Sequence, residues 1–96
     1  MTPETLKLQV KAILTETFPG YHIQLDPLSE NPGDLGVSVY GVAPQVVRRV
    51  TDKILDLDEE FCTNSTYCLV PLVRNLETTQ RYYPQYLSSA QKPLIA

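Results

Sequence analysis

His22, Cys62 and Cys68 are the one histidine and the two cysteines of the chain, and they are its most obvious carriers of nucleophile or base chemistry. A thiol becomes a strong nucleophile when a base takes its proton, so His22 beside either cysteine would form the minimal pair of a small enzyme. Neither cysteine lies in a nucleophile motif, and His22 falls on the polar side of an alternating stretch, where a lone histidine is ordinarily a surface or interface residue. A structural zinc site takes four ligands, commonly with C-x-x-C spacing, whereas Cys62 and Cys68 stand six apart and bring only one histidine with them. Asp26, Glu30, Asn31 and Asp34 crowd one polar stretch but miss the alternate-position ligands of a calcium loop. The sequence therefore predicts no catalytic set, no metal and no cofactor.

Cations and aromatic rings supply the other chemistry. Arg48, Arg49 and Lys53 would line one stripe, and Arg81 stands among Tyr82, Tyr83 and Tyr86, the mixture that grips single-stranded nucleic acid. Against that reading, Asp52 and Asp56 sit beside the first group. The whole chain also carries 8 basic and 11 acidic residues, a net charge of -3, whereas phosphate neutralisation dominates nucleic-acid affinity. Tyrosine and arginine are equally the residues of protein interfaces, because each buries a broad surface while keeping a polar group for a wet boundary. Arg81, Tyr82, Tyr83, Tyr86, Arg48 and Arg49 are accordingly the expected partner-binding residues. Asp56, Asp58, Glu59 and Glu60 form an acidic cluster at the expected end of a helix, solvated or open to a basic partner.

These residues need elements to hold them. Thr2, Pro3 and Glu4 make a helix start, and Leu6, Val10, Ile13, Leu14 and Thr17 recur at the spacing of one helical face, while Lys7, Lys11 and Glu16 fall elsewhere. Phe18-Pro19-Gly20 ends that helix. Tyr21, Ile23 and Leu25 alternate with polar residues as a half-buried strand does, and DPLSENPGD reads as a long polar connection. Leu35, Val37 and Val39 resume the alternation, giving a second strand antiparallel to the first.

Gly41 permits the turn from strand to helix, and Ala43-Pro44 opens a second helix with Val46, Val47, Val50, Ile54 and Leu57 on its apolar face. That helix is expected to finish near Leu57. Tyr67 to Val73 is a third strand, marked as an edge by Pro71, which has no amide to donate. Asn75 is placed to cap a short helix through Tyr82, which Tyr83-Pro84 ends.

The expected architecture is α+β: a small three-stranded sheet with two helices on one face, in the order α-β-β-α-β with a short C-terminal helix. Leu6, Val10, Ile13, Val37, Val39, Val50 and Ile54 should share its core. This order resembles that of the type II KH and BON domains, but the GxxG phosphate clamp of KH domains is missing, and no family is assigned. A length of 96 residues and a hydrophobic content of 43% fit one globular domain, read as residues 1–86 with a flexible tail over 87–96.

No apolar leader and no membrane-length apolar run occurs, so a soluble cytoplasmic protein with free thiols is expected, and the Asn64-Ser65-Thr66 acceptor pattern carries no weight. The functional expectation is a small intracellular non-enzymatic protein–protein interaction module that self-associates as a homodimer through Tyr67–Tyr86, without nucleic acid or membrane. The alternatives are a single-stranded nucleic-acid binder using Arg48, Arg49, Lys53 and the Arg81, Tyr82, Tyr83 cluster, or a small enzyme using His22 with a cysteine. A competing arrangement for RYYPQY folds it back over its own sheet to shield the edge.

Overall fold

The computed structural model describes residues 3–28, 31–63 and 67–87. Thr2, Ser29, Glu30, the Asn64-Ser65-Thr66 acceptor and the tail from residue 88 lie outside the described residues. The elements run α1 (Pro3–Thr17), β1 (His22–Leu28), β2 (Asn31–Val42), α2 (Val47–Cys62), β3 (Cys68–Asn75), α3 (Leu76–Tyr82) and a 3-10 turn η1 (Pro84–Tyr86). A three-stranded sheet in the order β1-β2-β3 forms one layer, with β1 antiparallel and β3 parallel to β2. The parallel pair requires a crossover, and α2 supplies it. This is the expected small α+β fold, and α1 over β1 and α2 over β3 make the helical layer. Among the described residues no helix is long and apolar enough to cross a membrane.

The core follows from the two periodicities. Leu6, Val10 and Leu14 on α1 and Val50, Ile54 and Leu57 on α2 meet Ile23, Leu25, Leu35, Val37, Val39 and Leu69 on the sheet. Each such aliphatic side chain contributes about 1.5–3 kcal/mol by leaving water. Of the expected core, Ile13 is only partly buried against this cluster, at the rim of the helical stripe. Thr17 is exposed, its hydroxyl donating back to the Ile13 carbonyl at 2.7 Å, the i−4 back-bond by which a helical threonine satisfies its own hydroxyl.

Several boundaries differ from the sequence expectation, among them β3, which runs Cys68–Asn75 rather than Tyr67 to Val73 because its pairing with β2 carries it on to Asn75. The supposed long connection is mostly strand: β1 continues to Leu28 and β2 already begins at Asn31, with an irregularity at Pro27/Leu28. Pairing across the hairpin overrides the poor strand propensity of DPL and NPGD, because propensity in sheets is mostly a matter of neighbours. Ala43 and Pro44 form a turn before α2, the Val46 amide donating to the Ala43 carbonyl at 2.8 Å, and the helix proper starts at Val47. At its other end α2 runs past Leu57 to Cys62, because Phe61 and Cys62 extend the apolar stripe into the core.

Gly41, at φ 76°, adopts the left-handed conformation that the turn out of β2 demands, which is the structural role its sequence context suggests. Gly36 has a different reason: a methyl group there would stand 3.0 Å from both Leu28 Cδ2 and Leu72 Cδ1, which close over it on the sheet's second face.

Candidate functional site

Asn75 ends β3 and caps α3, its Oδ1 accepting from the Thr78 amide at 2.7 Å. One turn later the buried Thr79 hydroxyl donates to the Asn75 carbonyl and accepts from the Gly41 amide, both at 2.8 Å. These bonds lock α3 across the end of β2. The chain is thereby aimed back over the sheet face opposite α1 and α2. There Tyr86 stacks on His22 with ring centroids 4.3 Å apart and lies 4.5 Å from Tyr40, while Tyr83 meets Tyr40 edge-on at 5.2 Å. The Arg74 guanidinium stands 5.8 Å over the Tyr83 ring, and its Nε has no hydrogen-bond partner among the described residues. Leu87, placed with the tail in the sequence reading, is buried beyond this cluster.

The expected partner-binding residues thus separate. Tyr83 and Tyr86 spend their ring faces inside the molecule. Tyr82 is exposed, and Arg81 pairs with Glu77 at 3.8 Å on the same short helix. Arg48 reaches Asp52 at 3.9 Å on an exposed face of α2, with Arg49 beside it. No hydrogen bond, ion pair or ring contact among the described residues joins the arginine pair to the Arg81–Tyr86 segment.

The catalytic alternative meets a geometric obstacle. His22 pairs with Tyr40 at one end of β2 and Cys68 pairs with Asp34 at the other, about 20 Å away at ~3.3 Å per strand residue. Cys62 is 6% exposed and belongs to the core, its thiol pushed up to about 11 by burial first and then by the charge and hydrogen bond of Asp58. Cys68 is exposed, and both thiols are free. Among the described residues no group of three or more His, Cys, Asp or Glu side chains is placed to share a metal ion.

The sheet edges were less legible and carry more. Proline fixes their polarity. Pro71 on β3 pairs with Val37 yet has no amide, so the bonds to β2 come from Val70 and Leu72, and Leu69, Pro71 and Val73 point their backbone groups outward. The Leu69 amide is consistent with this, donating 2.8 Å to Asp58 Oδ1. Of the three outward positions on β3, one amide is occupied, one is missing and only that of Val73 is left.

On β1 the same logic holds with the opposite outcome. Pro27 pairs with Leu35 and cannot donate, so the hydrogen-bonded pairs are His22 with Tyr40, Gln24 with Ser38 and Asp26 with Gly36. Ile23 and Leu25 therefore bury their side chains while turning both amide and carbonyl to the outer edge.

Beside that edge runs an open groove of about 240 Å³ lined by Glu4, Lys7, Leu8 and Lys11 from α1 and by Gln24 and Leu25 from β1. Leu8 is 70% exposed, the most exposed large apolar side chain among the described residues. Sequence reasoning passed over this groove because Leu8 lies off the core stripe of α1. That displacement, an apolar residue between two lysines on the solvent face, was the available signal. Neither a family model, nor a curated protein, nor a solved structure matches this chain, so its reading rests on these edges and clusters.

Proposed function

We propose that this protein is a non-enzymatic protein-interaction module that receives a partner strand along the outer edge of β1, with the side of α1 as the second wall of the site. The observation that carries the reading is the pair of outward amides and carbonyls at Ile23 and Leu25, opening beside a groove with an exposed leucine. Unpaired edge groups are templates for another chain, and strand addition obtains affinity from main-chain hydrogen bonds and selectivity from flanking side chains. The expected self-association through Tyr67–Tyr86 loses support along β3, where Asp58 and Pro71 deny a new strand two of its three donors. The nucleic-acid alternative loses support from the pairing of Arg48 with Asp52 and Arg81 with Glu77, which leaves each guanidinium beside a carboxylate.

Photo-crosslinking in the native host tests this reading. A photoreactive phenylalanine analogue replaces Leu8 in one variant and Leu55, which is 48% exposed on α2, in another. Protein adducts through position 8 that exceed those through position 55 are the expected result. Position 8 yielding no adduct, or no more than position 55, would overturn β1 as the docking edge.

A further inference from the structure

The geometry points to a second copy of this chain as the occupant of the β1 edge, docked about a two-fold axis that pairs β1 with β1 and α1 with α1, both antiparallel. This inference rests on the reading of β1 as the docking edge and adds the partner and the register.

The strand requirement is specific. A two-fold axis at Gln24 sets Ile23 opposite the partner's Leu25 and Leu25 opposite the partner's Ile23. In an antiparallel ladder a hydrogen-bonded pair exchanges both amide–carbonyl bonds, and Ile23 and Leu25 are the two β1 residues whose outward amides and carbonyls have no backbone partner among the described residues. Gln24 then faces the partner's Gln24 in a close, non-hydrogen-bonded pair, with the side chains able to pair amide to amide. Exposed His22 comes opposite the partner's Asp26. The result is one continuous sheet across both copies, which removes the edge.

The helix requirement is met by the same axis. Gln24 and Leu25 share the groove with Lys7 and Leu8, so an axis beside Gln24 also passes the middle of the exposed α1 stripe. Run antiparallel about that point, the stripe complements itself: Glu4 meets the partner's Lys11, and Leu8 meets the half-buried stem of the partner's Lys7. The Glu4 carboxylate contacts Lys7 of its own helix at 3.6 Å and is 82% exposed, which leaves it acceptors for a second cation. Lys11 has no ion pair among the described residues. An isologous interface needs this arrangement, opposite charges at equal distances from the axis with an apolar residue between them.

Sedimentation of the purified chain from low to high micromolar concentration provides the test, with twice the 10.8 kDa chain mass as the expected limiting species. Glu4→Lys brings two ammonium groups face to face at this contact, and Lys11→Glu brings two carboxylates face to face there. Each single variant should weaken the dimer by on the order of ten-fold while the circular dichroism of these surface substitutions stays native. Mixing the two variants makes both contacts complementary again, so a mixed dimer at native strength is expected, as is recovery in the double variant.

A monomer at every concentration, single variants that dimerise unchanged, or a mixture that fails to recover would each overturn the two-fold. A monomeric chain that still gives adducts at position 8 in cells overturns the self-pairing alone and upholds the docking edge. Absence of those adducts overturns both.

Discussion

Replacing Asp58 with Ala isolates the contact that closes the β3 edge. Asp58 Oδ1 accepts the Leu69 amide at 2.8 Å in a part-buried position, and hydrogen bonds to charged groups contribute about 1.5–3 kcal/mol. Water can reach an edge amide once the carboxylate is gone, so the lower part of that range applies and a loss of about 1.5–2 kcal/mol is expected. For a domain of this size each kcal/mol moves the midpoint by about 4–8 °C, so Tm should fall by roughly 5–15 °C.

Asp58→Asn keeps an acceptor oxygen and loses only the charge, so its loss should stay below about 1 kcal/mol. Thermal and urea unfolding give the stabilities, and amide hydrogen exchange reports the bond itself, with faster exchange at Leu69 in Asp58→Ala. The same substitution removes two of the causes that raise the Cys62 thiol while burial, the largest, remains, so that thiol should titrate below about 11 but above its ordinary 9.0. An unchanged midpoint together with a Leu69 amide as protected as before would refute the edge-closing role and with it the contrast between the two edges.

Ile54→Ala should lower stability by roughly 2–5 kcal/mol, since Ile54 is fully buried between α2 and the sheet, and an unaltered urea midpoint would remove it from the core. The two thiols should behave differently: Cys68→Ser should change stability by less than about 0.5 kcal/mol, whereas Cys62→Ser, which puts a hydroxyl into the core, should cost about 1 kcal/mol or more. At pH 8 a maleimide or iodoacetamide should label Cys68 first, because the thiolate is the reactive form and Cys62 is both buried and raised. A folded-state value above the unfolded one favours the protonated native state, so the Cys62 contribution to stability is complete below pH 9 and is lost as pH climbs through about 11. Equal labelling rates in the native protein, or stability flat across that window in comparison with Cys62→Ser, would count against this assignment.

How far the sequence speaks depends on whether a residue's fate is local. Val10, Ile54 and Val37 announce their burial through periodicity, and Asn75 announces a helix cap because a side-chain acceptor three residues before an amide is a short-range device. Strand limits at Leu28 and Asn31 are not local. They depend on the partner across the hairpin, which no window of residues contains. Asp58 is the same case: beside Glu59 and Glu60 it looks like one more solvated acid, and only the return of β3 beneath α2 brings the Leu69 amide to it. Tyr83 and Tyr86 carry interface chemistry in their composition, yet the capped, short α3 turns them onto His22 and Tyr40, so their aromatic surface serves the fold.

Two prolines settle what the strands themselves leave open. Each stands at an outward position of its edge, since neither can give a hydrogen bond to β2. Pro71 sits in the middle of its edge, next to an amide that Asp58 already holds, and a strand arriving there finds too few donors to build a ladder. Pro27 sits near the hairpin end of β1, beyond Ile23 and Leu25, so it limits how far an added strand can extend without removing the donors that would hold it. A sheet guarded at one edge and open at the other among the described residues, with an unburied leucine and a lysine, Lys11, that makes no ion pair among them set beside the open one, is asymmetric protection, and the side left unprotected is where a partner chain has reason to add.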